Sequence, residues 1–117
     1  MPYTSAALIE RALRRLGAVG DGQEAEPEDA RKVREAIPGV LADLLERYIY
    51  DVADLEDIDT AAFHHISAIL ASEMSDDFGL PQSDVVTLAS RAQAAEQKLR
   101  ALRTLAYSGA TVRVDYF

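Results

Sequence analysis

Residues 85–106 read VVTLASRAQAAEQKLRALRTLA, and this stretch decides the fold class. Apolar side chains recur in it at alternating spacings of three and four residues, at Val85, Leu88, Ala92, Ala95, Leu99, Leu102 and Ala106. Such a heptad seam is typical of a helix that packs against other helices, and its alanines permit a close approach. The pattern predicts the longest helix of the chain, capped by Ser83 and ending near Ser108-Gly109, as the main packing element of a helical bundle.

Three further helices are predicted upstream of this seam. The first begins at an N-cap supplied by Thr4 or Ser5 and ends at Gly17. The second starts at Pro27 and extends to about residue 51, and because Pro38 lies inside it we expect a kinked or broken helix. The third follows Asp59-Thr60 and carries an apolar stripe made of Phe63, Ile66, Ile69, Leu70, Met74 and Phe78.

Length and composition indicate one helical domain. The chain has 117 residues and no cysteine, which is enough for a single core but leaves no disulfide framework. It has neither a basic-apolar leader stretch nor an apolar run approaching roughly 18 residues, so we expect neither secretion nor membrane insertion. We therefore predict an all-α domain over residues 1–108, followed by an extended arm over residues 109–117.

The net charge of -8 is concentrated in the middle of the chain. Residues 40–87 carry eleven acidic and one basic side chain, a net charge of -10, whereas residues 88–117 carry two acidic and five basic ones, a net charge of +3. An acidic middle argues against wrapping nucleic acid, because phosphate binding depends on Lys and Arg. It is compatible with a surface that DNA passes without adhering.

No catalytic or metal-binding pattern stands out. No nucleophilic triad is plausible without a Cys and with only the adjacent His64 and His65, and no G-x-S-x-G elbow exists. The two histidines point about 100 degrees apart on a helix, so they cannot jointly face one metal ion. We expect one of these histidines to be packed and the other exposed. The acidic segment, residues 51–59, lacks the central Gly of a calcium loop. We therefore expect no enzyme activity, no cofactor and no metal, and an acidic segment that faces solvent or a channel through Asp54, Glu56, Asp57 and Asp59.

The last seven residues alternate between apolar and mostly polar side chains, which is typical of a strand: Thr111, Val112, Arg113, Val114, Asp115, Tyr116 and Phe117. A lone strand leaves backbone hydrogen-bonding groups unpaired, so its expected partner is another polypeptide. We predict these seven residues to be the partner-binding site. The alternative is a frayed terminus that alternates by coincidence.

Three arginines crowd the end of the first helix, at Arg11, Arg14 and Arg15. Cations there complement the negative end of the helix dipole. A contact to an acidic partner or to phosphate is the other interpretation, and the sequence leaves both open.

The order of these elements resembles a known protein family. The resemblance rests on ALIERALRRLGA at 7–18, the Gly-rich acidic loop, EPED at 26–29, the aromatic end of the second helix at Tyr48 and Tyr50, and AQAAEQKL at 92–99. This pattern resembles the head-to-tail adaptor proteins of tailed bacteriophages and gene transfer agents, over most of residues 4–105. The order and lengths of the elements carry the likeness more than any single residue does.

The resemblance implies a structural virion protein made in the host cytoplasm. Subunits of such proteins form a ring, usually twelve-fold, under the portal at the head-tail interface, and a C-terminal extension reaches onto the portal. The ring links the portal to the tail or to the next stopper protein, and DNA passes through its channel without specific binding. A different class of protein, a small helical DNA-binding regulator or antitoxin, is the alternative.

Overall fold

The computed structural model describes residues 3–18, 20 and 23–111, with side chains described as far as Leu102. It contains four helices, α1 (Ser5–Arg15), α2 (Pro27–Glu46), α3 (Thr60–Met74) and α4 (Gln82–Thr111). Within these residues there is no β-strand, and extended pairing is limited to an isolated antiparallel bridge between Tyr3 and Ile58. The predicted all-α bundle of four helices is confirmed.

Both ends of α1 follow from local sequence signals. Thr4 is the N-cap, and its side-chain oxygen accepts a hydrogen bond from the backbone N–H of Ala7 at 3.2 Å. At the other end Gly17 adopts a φ of 75°, and the N–H of Ala18 donates to the carbonyl of Leu13 at 3.0 Å. A left-handed glycine with this backbone hydrogen bond closes a helix, so the predicted stop at Gly17 is confirmed.

Pro38 does not break α2, which is continuous from Pro27 to Glu46. The predicted break and the predicted extension to residue 51 are therefore wrong. Pro38 lies on the exposed side of the helix, whereas Ile37 and Val40 on the opposite side are buried in the core. Because the proline faces outward, water can hydrogen-bond the carbonyl that loses its intrahelical donor, and core packing keeps the helix intact.

α2 ends at an unusual residue. Tyr48 has a φ of 57°, the left-handed conformation that glycine adopts at the end of α1. The N–H of Ile49 donates to the carbonyl of Leu44 at 2.8 Å, and the side chains of both Ile49 and Leu44 are fully buried. The buried Ile49 therefore fixes the direction of the chain, and Tyr48 adopts the strained conformation that this direction requires.

α3 is the central helix, since it packs against each of the other three. Its side chains are buried almost all round, which is typical of a helix enclosed by neighbours. The buried residues are Ala62, Phe63, Ile66, Ser67, Ala68, Ile69, Leu70, Ala71 and Met74. The prediction that α4 is the main packing element is therefore wrong, because among the described helices α4 packs along α3 whereas α1, α2 and α3 pack against one another.

α4 begins two residues earlier than an N-cap at Ser83 predicts. The carbonyl of Pro81 accepts backbone hydrogen bonds from Asp84 and Val85, both at 3.0 Å, so the helix starts at Gln82. Ser83 lies inside the first turn, and its predicted capping role is wrong. A proline just before the helix has its φ already fixed near the helical value, which explains the earlier start.

The heptad seam of α4 faces the core. Leu88, Ala92, Ala95 and Leu99 are buried, and Leu102 is half-buried. The seam prediction is confirmed over this stretch.

α4 continues through Ser108-Gly109 to Thr111, so the helix extends over the first three residues of the predicted arm, residues 109–117. One glycine costs a helix only about 1 kcal/mol, which the backbone hydrogen bonds on either side tolerate. Residues 112–117, the rest of the predicted arm, lie outside the described residues.

Candidate functional site

The acidic segment, residues 51–59, connects α2 to α3 and is held in a defined turn. The side chain of Asp54 accepts a hydrogen bond from the N–H of Glu56 at 2.9 Å, and its carbonyl accepts one from the N–H of Asp57 at 3.1 Å. Ile58 is buried and anchors the segment to the core. The four predicted channel-facing residues, Asp54, Glu56, Asp57 and Asp59, all have exposed side chains.

The chain segment before α1 holds the acidic segment in place. Tyr3 and Ile58 exchange both backbone hydrogen bonds of an antiparallel bridge, at 3.1 and 2.7 Å. The hydroxyl of Ser5 donates to a carboxylate oxygen of Glu56 at 2.6 Å. The ring of Tyr3 also stacks on Phe63, with 3.9 Å between centroids. Of the four predicted acidic residues, Glu56 is thus the one whose carboxylate is tied to α1.

A shallow pocket of about 250 Å³ lies within the acidic segment, lined by Tyr50, residues 51–54 and residues 57–59. Burial raises the pKa of the Tyr50 phenol, and the nearby carboxylates of Asp59 and Asp51 raise it further. The hydroxyl therefore stays protonated and can donate a hydrogen bond. In the described part of the chain, no group of three or more His, Asp or Glu side chains is placed to hold a metal ion.

Two arginines of α1 point toward α3. Nε of Arg15 donates to the hydroxyl of the buried Ser67 at 3.0 Å, and its Nη2 donates to the carbonyl of His64 at 3.3 Å. Nη2 of Arg11 lies 3.0 Å from Nδ1 of His64, and the Nε of Arg11 is buried without a hydrogen-bond partner among the described residues. These two side chains therefore brace α1 against α3 and do not form ion pairs there.

Both histidines are half-buried, so the prediction of one packed and one exposed histidine is wrong. α3 has neighbours on several sides, and His64 meets Arg11 of α1 whereas His65 lies near Lys98 of α4. Burial lowers the pKa of His65, and the charges of Lys98, His64 and Arg15 lower it further.

Sequence reasoning missed an exposed apolar stripe on α2. Leu45 is 52% exposed and Tyr48 is 75% exposed, and both continue the line of Pro38 and the half-buried Leu41. The spacing of three and four residues was visible in the sequence. The apolar positions of this helix are too many for one buried face, so some of them are exposed.

The predicted partner-binding residues Thr111–Phe117 are not brought together with the acidic segment by any described contact. Thr111 is the last residue of α4, and residues 112–117 lie outside the described part of the chain. Their strand conformation and partner role stay predictions.

Comparison of the chain with protein-family models, curated proteins and solved structures finds no match. None of the described helices combines the length and the apolar character that crossing a bilayer requires.

Proposed function

We propose that the chain is a structural ring subunit that docks under a phage portal and links it to the tail. The order of the four helices supports this, because order and length of elements carried the resemblance to head-to-tail adaptor proteins. The helices at 5–15, 27–46, 60–74 and 82–111 supply those elements in the expected order.

The exposed acidic segment supports a channel role within this proposal. Four carboxylates project from one ordered turn that belongs to a region of net charge -10. Like charge on a channel wall repels the phosphates of DNA and keeps a duplex from adhering. In the proposed ring Asp54 and Glu56 of this segment face the DNA, while residues 112–117 reach the portal.

Docking is tested with purified portal protein encoded by the same genome. We expect the full chain to co-elute with the portal in gel filtration, and a chain lacking residues 112–117 to elute separately with an unchanged helical circular dichroism spectrum. An electrophoretic shift of DNA without portal binding would contradict the proposal and favour the regulator or antitoxin alternative.

The channel role is tested with Asp54→Lys combined with Glu56→Lys, which leaves Asp57 and Asp59 unchanged. Because this double variant removes the Ser5–Glu56 and Asp54–Glu56 hydrogen bonds, its circular dichroism spectrum is compared with that of the wild type first. We expect the assembled ring to retain DNA or to slow its release. The matched control replaces the exposed pair Asp76 and Asp77, outside this segment, with lysine. Equal DNA passage in both double variants would place the acidic segment on the outside of the ring.

A further inference from the structure

A second pocket, of about 290 Å³, lies between the end of α1 and the first turns of α4. Three arginines line it, Arg14, Arg15 and Arg91, together with a single carboxylate, Asp84. Apolar side chains of Leu16, Leu80 and Leu88 complete the wall. We call it the arginine pocket. Its lining has a net charge of +2 in a chain whose net charge is -8.

The positive charge of the arginine pocket is poorly neutralised. Arg14 pairs with Glu10 at 3.1 Å on the surface, but among the described residues no carboxylate lies within 4 Å of the guanidinium of Arg15 or Arg91. Burial lowers the pKa of Arg15, and repulsion from Arg11 and Arg91 lowers it further. Holding like charges together in a partly desolvated site costs free energy, and an incoming anion would recover it.

The shape and surroundings of the arginine pocket favour a protein carboxylate over nucleic acid. A duplex requires a run of cations that tracks its backbone. Here three arginines meet in one pocket beside a carboxylate, Asp84, and residues 40–87 are strongly acidic. Apolar walls beside guanidinium groups suit an Asp or Glu side chain, whose methylenes pack while its oxygens accept bidentate hydrogen bonds.

The chain itself presents such carboxylates at the other end of α1. Ser5, the first residue of α1, contacts Glu56 of the acidic segment, whereas Arg14 and Arg15 are at the last turn. An 11-residue helix is roughly 16 Å long, so the acidic segment cannot enter the arginine pocket of its own molecule. Opposite charges at separate places on one chain suit a head-to-tail contact between copies, which closes into a ring or extends into a filament.

We propose that the arginine pocket receives the acidic segment of a second copy of this chain. This inference rests on the proposed function, since it names the subunit contact of the ring. Asp57 and Asp59 of one copy enter the pocket of the next, where they meet Arg15 and Arg91.

The test uses two full-length variants that each disable one side of the contact. Arg91→Glu disables the pocket and leaves the acidic segment intact, whereas Asp57→Lys with Asp59→Lys does the reverse. Arg34→Glu, on the exposed surface of α2, is the matched control for the charge change. Sedimentation equilibrium is measured for each protein alone and for an equimolar mixture, up to millimolar concentration.

The wild type and Arg34→Glu are expected to associate, more weakly as salt is raised. For each interface variant alone, the association constant is expected to fall by a factor of about ten or more. In the mixture, one intact pocket meets one intact acidic segment, so the expected product is a heterodimer that grows no further. Unchanged association of either variant alone, a mixture that stays monomeric, or a monomeric wild type would each overturn the inference.

Portal co-elution of the same variants separates this inference from the proposed function. Portal binding without the charge-dependent self-contact would overturn the inference alone. Heterodimer formation by a chain that never binds the portal would support the contact and contradict the adaptor role.

Discussion

Replacing Tyr48 with glycine is expected to stabilise the protein, although it removes a large side chain. Tyr48 has a φ of 57° and is 75% exposed. The left-handed conformation costs an L-residue roughly 1–2 kcal/mol, which glycine does not pay. Glycine also loses more backbone conformational entropy on folding, which lowers the free energy of unfolding by about 0.5–1 kcal/mol. The expected net gain is about 0.5–1 kcal/mol, a rise in melting temperature of about 2–4 °C.

The assay is thermal and urea unfolding followed by circular dichroism, with Tyr48→Ala as the matched control. Alanine also removes the aromatic ring but keeps the Cβ that makes the left-handed conformation costly. It should therefore give no gain. If Tyr48→Gly were neutral or destabilising, or if alanine stabilised as much as glycine, backbone strain at this helix end would not be the reason.

Three other changes test the core, the histidine pair and the arm. Leu99 is fully buried, so Leu99→Ala should lower the free energy of unfolding by about 2–5 kcal/mol in urea unfolding. Leu102 is half-buried, so Leu102→Ala should lower it by less. Equal losses for the two variants would mean that the seam does not face the core as described. The pKa of His65 is lowered in the folded state, so its contribution to stability is complete above about pH 6.5 and is lost as the pH falls below that value. His65→Gln should flatten the fall in stability as the pH drops below about 6.5, measured by urea unfolding at a series of pH values. Deleting residues 112–117 should leave the melting temperature unchanged, and a large drop would show that these residues pack on the bundle.

Signals carried by neighbouring residues were sufficient to predict both ends of α1 and the starts of α2 and α3. Thr4 and Gly17 act through hydrogen bonds near one end of the helix, so a few neighbouring residues are enough to predict their roles. The heptad seam of α4 was equally readable, because periodicity within one helix indicates its buried face.

Features that depend on neighbouring elements were predicted poorly. Pro38 was expected to break α2, but its effect depends on whether the freed carbonyl faces water or the core. The central position of α3 depends on which helices surround it, and its periodicity alone did not reveal this. The arginine pocket joins residues of α1 with Arg91, far along the chain, so no local pattern could have shown that they meet.

The bridge between Tyr3 and Ile58 fastens the acidic segment to the residues around the start of α1. The two bridge hydrogen bonds and the Ser5–Glu56 contact join the start of the chain to a loop far along it, outside the helix ladders. A contact of this kind can open locally while the core stays closed. Amide hydrogens of Tyr3 and Ile58 should therefore exchange together, at a rate set by this local opening rather than by global unfolding. Tyr3 and Ser5 then decide, together with the buried Ile58, how firmly the carboxylates are presented.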